Sequence, residues 1–145
     1  ARWPKVKIVV RADSAFAHEA LMAWCEESRV DYVFGLARNA RLEARVEDAL
    51  AEAKKMTEES CGKPARVFRD FLWTTKKSWS RPRRVIVKAE WTGGEPHPRS
   101  VVTSLKADAF AARPLYEDAR AACRIDLQSR RPDRRHPRRI ARAAL

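Results

Sequence analysis

The sequence predicts an α/β fold that continues into a β-rich stretch and ends in a basic tail. A strongly apolar segment, Val6–Val10, precedes an apolar stripe at helical spacing and a second apolar segment, Asp31–Leu36. Three segments rich in β-branched and aromatic residues follow, separated by turn formers. The last 27 residues contain nine arginines and almost no apolar periodicity. Together these patterns indicate helices on a sheet, followed by a segment that cannot build a core.

The first unit is predicted to be strand, helix, strand. Lys5–Ala12 has the composition of a buried strand, and Asp31–Leu36 is a second short strand. Between them, apolar residues recur at i, i+3, i+4, i+7 and i+8, which is the pattern of a helix lying on a sheet: Ala17, Ala20, Leu21, Trp24 and Cys25. Trp24 is therefore expected in the core. Short connections make a parallel strand pair the default expectation.

The middle of the chain changes from helix to strand. Residues 40–60 keep one apolar face and are predicted to form a single helix, whose charged face is interpreted as solvated. Strands are predicted at Arg66–Thr75, Arg84–Thr92 and Ser100–Leu105, and their short separations indicate an antiparallel meander. Residues 107–118 are predicted to be a loop and a short helix broken at Pro114.

Charge and cysteine content limit the classes of function. The net charge is +12, and +7 of it lies in residues 119–145, which are predicted to be a disordered Arg-rich tail. This balance favours a polyanionic partner such as nucleic acid or an anionic membrane surface. Cys25, Cys61 and Cys123 lack zinc-ligand spacing and are expected to be reduced thiols, two of them in the core. No membrane helix or signal peptide is predicted, and no small-molecule cofactor is expected.

Asp13 is the sharpest candidate for chemistry. It follows the first predicted strand directly, at the edge of an α/β sheet where ligands and metal ions bind. A carboxylate there can hold Mg²⁺, which prefers oxygen ligands. Alternatively, Asp13 or Ser14 only caps the following helix, and spacing alone favours this capping role.

Several segments resemble DDE transposases of bacterial insertion sequences. The resemblance begins with IVVRADSAF at Ile8–Phe16 and continues with ALMAWCE and DYVFGLARN. It extends over residues 1–118 through four shorter matches: Ala65–Phe68, Lys77–Ser80, Val101–Leu105 and Leu115–Asp118.

This resemblance implies an RNase H-like fold that presents two aspartates and a glutamate to two divalent ions, Mg²⁺ or Mn²⁺. The second aspartate transfers onto Asp13, as catalytic residue and metal ligand. Residues 1–39 would belong to the catalytic core, 40–106 would be a helix plus a β-rich insertion, and 107–118 would return towards the core. The implied function is metal-dependent DNA strand cleavage and transfer at transposon ends, in a bacterial cytoplasm.

The sequence also departs from the family pattern. The chain starts without methionine, and the first aspartate would lie upstream of residue 1. Leu127 stands where the glutamate is expected, while Glu117 and Asp118 come too early to replace it. The resemblance stops at Asp118, beyond which lysine disappears and arginine becomes more frequent. A reading-frame shift in GC-rich DNA would produce such a change. We therefore expect a truncated fragment that is inactive alone and does not hold the metal ions stably.

A basic cluster between two predicted strands is the candidate DNA contact. It combines cations with tryptophans, which can bind phosphates and stack on bases: Lys76, Lys77, Trp79, Arg81, Arg83 and Arg84. The alternative is an ordinary solvated turn with its tryptophans packed beneath. Two other functions stay open for the chain. It could be a non-catalytic nucleic-acid-binding module, or it could pair with an intact transposase copy through the helix at 40–60.

Overall fold

The structure is a computed structural model that describes residues 7–119. Our expectations for the start of the first strand and for the tail beyond residue 119 lie outside these residues. The elements follow the chain as β1 (Val9–Ala12), a 3₁₀ turn (Ser14–Phe16), α1 (Glu19–Glu27), β2 (Asp31–Leu36), α2 (Ala40–Arg45), α3 (Glu47–Glu59), β3 (Ala65–Trp73), β4 (Arg83–Thr92), β5 (Glu95–Pro96) and β6 (Arg99–Thr103). A last helical stretch covers residues 112–119.

All described strands belong to one mixed sheet. Its order is β1-β2-β6-β4-β3, with the short β5 paired to β4. β1 and β2 are parallel, and every other pair is antiparallel. The structure therefore confirms the α/β class, the parallel first pair and the antiparallel meander. The meander is continuous with the first pair because β6 lies between β2 and β4.

Both faces of the sheet are covered. On one face, α1 packs on β2, and α3 packs on β3 and β4. The buried residues of that face include Met22, Cys25, Phe34 and Val85. The other face is covered by the segment after β6 and the last helical stretch, through buried residues such as Leu115. The residues of the candidate site lie at the end of β1, in the connection between β3 and β4, and along α1.

The expected helix at 40–60 is wrong as a single element. The structure contains two helices that meet at Val46, whose φ of −119° lies outside the helical range. Asn39 begins α2, where its side-chain oxygen accepts the amide hydrogens of Arg41 and Leu42 at 2.9 and 3.4 Å. Val46 is buried, so the break turns the chain without exposing its apolar face.

Two smaller expectations, for Trp24 and Pro114, are also corrected. Trp24 is 54% exposed, because α1 turns Met22 and Cys25 towards the sheet. Of the three cysteines, two of which were expected in the core, Cys25 is buried, Cys61 is exposed and Cys123 lies outside the described residues. Pro114 does not break the last helical stretch. It lies in the first turn, where a missing backbone N–H costs no helical hydrogen bond.

None of the helices within residues 7–119 has both the length and the apolar character that crossing a membrane requires.

Candidate functional site

Asp13 lies directly after β1, at the sheet edge where the parallel strands β1 and β2 both end. Its side chain is exposed, and Oδ1 accepts the amide hydrogen of Ala15 at 2.9 Å. Asp13 is thus the N-cap of the 3₁₀ turn, whereas the helix that the alternative interpretation expected it to cap, α1, is capped by His18. Among the described residues no hydrogen bond engages Oδ2, so the capping bond leaves that oxygen open to solvent. Capping and metal ligation are therefore compatible at this residue.

Gly35 fixes how closely the Asp13 backbone approaches β2. A Cβ atom on Gly35 would lie 3.2 Å from the Ser14 nitrogen and 3.4 Å from the Asp13 carbonyl carbon. Few real Cβ atoms are packed so tightly, so a side chain here would push the turn away from the sheet. Glycine at this position lets the chain cross the end of β2 and holds Asp13 at the edge.

Arg11 ties the end of the last helical stretch to β1. Its guanidinium Nη1 donates to the backbone carbonyl of Asp118 at 2.9 Å. This bond holds the last described residues beside β1. Arg11 itself lies two positions before Asp13.

Four of the six residues of the basic cluster lie in the loop between β3 and β4, residues 74–82, and Arg83 and Arg84 begin β4. The Thr75 hydroxyl oxygen accepts the amide hydrogens of Ser78 and Trp79 at 3.1 and 2.9 Å, which makes a tight local turn. Lys76 and Lys77 lie exposed at this turn. Trp79 is half-buried against the core below them.

Arg83 lies beneath this loop, and its side chain is only 3% exposed. Its guanidinium donates to Glu19 at 2.7 and 3.2 Å, and to Glu26 at 2.8 and 3.1 Å. It also lies over the Trp79 ring, 5.7 Å from the centroid. The two glutamates are two turns apart on α1, so one face of the helix presents both carboxylates to the same cation.

The pKa values of the two glutamates reflect this ion-pair cluster. Hydrogen bonds from Arg83 and then Ser80 lower the pKa of Glu19 to about 2. Burial raises the pKa of Glu26, but hydrogen bonds from Arg83, Tyr32 and Arg81 outweigh it and hold the pKa below its usual value. Both carboxylates are therefore ionised at neutral pH, and their negative charges offset the positive charge of Arg83.

The loop itself is attached to α1 through the same carboxylates. The Ser80 amide and hydroxyl donate to Glu19 at 3.1 and 2.5 Å. Arg81 is 58% exposed and forms an ion pair with Glu26. α1 starts six residues after Asp13, so these contacts connect the loop to the helix that follows the sheet-edge carboxylate.

Arg84 points to the opposite face of the sheet and is also buried, with 8% of its side chain exposed. It donates to the Asp70 carboxylate at distances down to 2.5 Å. Its remaining donors reach the backbone carbonyls of Leu105 and Phe110 at 2.7 and 2.8 Å. Arg84 thus joins β4 to the segment that covers this face.

A family model for the transposase DDE domain, group 1, matches residues 1–125. The chain belongs to this family. Comparisons with curated proteins and with solved structures gave no match. The family match extends past Asp118, where the sequence resemblance was expected to stop.

Transposases of this family act on DNA and use divalent metal ions. Within residues 7–119, no three His, Cys, Asp or Glu side chains come together in a way that could hold a metal ion. Two closely spaced ions need several carboxylates to offset their charge. Within the described residues no such carboxylate group is present.

The six residues expected to contact DNA fall into two groups. Lys76, Lys77 and Arg81 are exposed in the loop, with Trp79 half-buried beneath. Arg83 and Arg84 lie in the interior, and carboxylates already hold their guanidinium groups. Sequence reasoning missed their partners. The spacing of Glu19 and Glu26 on one helix face is the signal that could have indicated the partners of Arg83.

Proposed function

We propose that this chain acts in the metal-dependent cleavage and transfer of DNA strands during transposition, with Asp13 as one metal ligand. The observation that carries the proposal is the position of Asp13 at the common end of two parallel strands, with Oδ2 open to solvent. Ligands of open α/β sheets bind at this edge, and a carboxylate oxygen is a preferred ligand of Mg²⁺ and Mn²⁺. Family membership supplies the reaction class.

DNA contact, in this proposal, is made by the exposed cations of loop 74–82. Lys76, Lys77 and Arg81 can reach phosphates, whereas Arg83 and Trp79 support the loop from below. Such contacts position a duplex without reading its sequence, so we expect binding that weakens steeply with salt.

The 145-residue chain alone is proposed to be inactive as a nuclease. A single carboxylate cannot stabilise two divalent ions at close distance. The other carboxylates of the centre would come from groups outside residues 7–119 or from a second, intact transposase chain. Asp13 then contributes one ligand to a site that other groups complete.

The proposal can be tested by titrating Mn²⁺ into ¹⁵N-labelled protein. A paramagnetic ion broadens the amide signals of nearby residues, so signals of Ser14 and Gly35 should fade first. Asp13→Asn should abolish this selective broadening. The matched control is Asp108→Asn, because Asp108 is also an exposed aspartate and lies outside the sheet edge. Selective broadening that survives Asp13→Asn would refute the metal-ligand role.

A further inference from the structure

A cleft of about 980 Å³ lies where α1 and β6 end and where β4 begins, beside the last residues of β3. Its walls combine apolar and charged side chains. Leu72, which is 73% exposed, and Pro82 contribute apolar surface. Arg81 lines the cleft and also belongs to loop 74–82, so the cleft is continuous with the proposed DNA-contact loop.

Each carboxylate of the cleft wall is already paired inside the protein. Glu26 is held by Arg83 at 2.8 Å and by the Tyr32 hydroxyl at 2.8 Å. Asp31 accepts the Ser104 hydroxyl hydrogen at 2.9 Å and forms an ion pair with Lys7 at 3.3 Å. Asp70 is held by Arg84, as described above. The acidic groups of the wall therefore offer little free negative charge to a ligand.

Two cations of the wall have no such partner. Arg29 and Lys106 are exposed, and no hydrogen bond or ion pair within residues 7–119 engages either side chain. Arg29 is held at the rim by its backbone, which has a φ of +55° after the end of α1. The next residue closes that turn, because the Val30 amide donates to the Cys25 carbonyl at 2.8 Å. The cleft wall holds five cations and three carboxylates. The excess positive charge therefore lies on Arg29 and Lys106, the two cations without a carboxylate partner within residues 7–119.

We propose that this cleft binds the phosphodiester backbone of DNA, with Arg29 and Lys106 as its phosphate contacts. The inference rests on the proposed function, since DNA is the partner that it assigns. The strand would continue from Lys76 and Lys77, past Arg81, into the cleft. Exposed cations in the cleft bind the phosphates of the DNA backbone and do not contact the bases. Their contribution to DNA affinity is therefore independent of the DNA sequence.

The test compares two double variants of the full chain that lose the same charge. Arg29→Gln/Lys106→Gln removes the cleft cations. Lys63→Gln/Arg99→Gln removes two exposed cations that do not line the cleft. Binding to a fluorescent duplex is measured by anisotropy at several salt concentrations. Unchanged thermal melting confirms that each variant is folded.

The cleft variant should reduce the slope of log affinity against log salt by about 1.8, because each lost phosphate contact releases about 0.9 fewer counterions. At 0.1 M salt this corresponds to a loss of affinity of about ten- to sixtyfold. The control variant should change the slope far less. Equal losses of affinity in both variants would overturn the assignment of the cleft. The proposal that the chain binds DNA would still stand. Absence of any DNA binding by the unmodified chain would overturn the proposed function itself.

Discussion

Replacing Arg83 with methionine removes the cation that two glutamates share while keeping an unbranched apolar side chain. Arg83 donates four hydrogen bonds to Glu19 and Glu26 from a position that is 3% exposed. In the variant, two carboxylates remain close together without their counter-charge. Tyr32 and Arg81 still contact Glu26, and Ser80 still contacts Glu19.

Breaking a buried ion pair from one side costs about 3–5 kcal/mol, because the other charge stays buried and unpaired. Glu19 keeps 29% of its side-chain surface exposed and can turn towards water, which places the expected loss at the lower end of that range. We therefore expect the free energy of unfolding to fall by about 3 kcal/mol. For a chain of this length, the melting temperature should fall by about 10 °C.

Urea and thermal unfolding at neutral pH, followed by circular dichroism, measure this loss. The matched control is Arg38→Met, because Arg38 forms an ion pair with Glu43 but is 73% exposed. That variant should lose far less stability, because solvent screens an exposed ion pair. The triple variant Arg83→Met/Glu19→Gln/Glu26→Gln should recover part of the loss, since it leaves no carboxylate without its cation. Arg81 loses Glu26 in this variant, but its side chain is 58% exposed. If Arg83→Met costs no more than Arg38→Met, the ion-pair cluster does not stabilise the fold as we argue.

Two further predictions concern acid and catalysis. Because the folded-state pKa of Glu19 is lowered from 4.5 to about 2, its stabilising contribution is complete above pH 4.5 and is lost as the pH falls towards 2. Acid titration of stability should show this loss in the unmodified chain, and Glu19→Gln should lack that component; an unchanged acid profile in Glu19→Gln would contradict the assignment. In a nicking assay on supercoiled plasmid, the chain should show no Mg²⁺- or Mn²⁺-dependent cleavage, with Asp13→Ala as control. Metal-dependent nicking that disappears in Asp13→Ala would show that other groups of this chain, or of a second copy, complete the centre.

Part of the strand pairing could be predicted from the sequence because it depends on local patterns, whereas the pairing of β2 with the distant β6 could not. A short connection with a helix between two apolar segments leaves a parallel pair as the default, and β1 and β2 are parallel. Short separations between the later strands favour antiparallel neighbours, and β3, β4 and β6 pair that way. The position of Asp13 after β1 followed from the same local pattern.

The orientation of α1 could not be predicted from apolar spacing. Of the predicted stripe, Leu21 and Cys25 do pack on the core, but Trp24 is exposed and Met22, about half a turn away from it, is buried instead. This rotation involves a distant residue, because turning Met22 inward also directs Glu19 and Glu26 towards Arg83. An ion pair over more than fifty positions in sequence leaves no periodic signal within the helix.

The basic cluster was harder to interpret because counting cations does not show which of them are available. Its arginines at 83 and 84 are buried, whereas its lysines at 76 and 77 are exposed. The physical difference lies in the head groups. A guanidinium is weakly hydrated and presents five donors in a plane, so two carboxylates, or one carboxylate and two carbonyls, can satisfy it inside a protein. A lysine ammonium is strongly hydrated and costs more to remove from water.

An arginine at the start of a strand, with acidic residues on a neighbouring helix or strand, is therefore a candidate for a structural role. The lysines of the adjoining turn remain the candidates for phosphate contact. By the same reasoning, Arg29 and Lys106 are the more informative cations of the cleft, because no carboxylate of the described fold engages them.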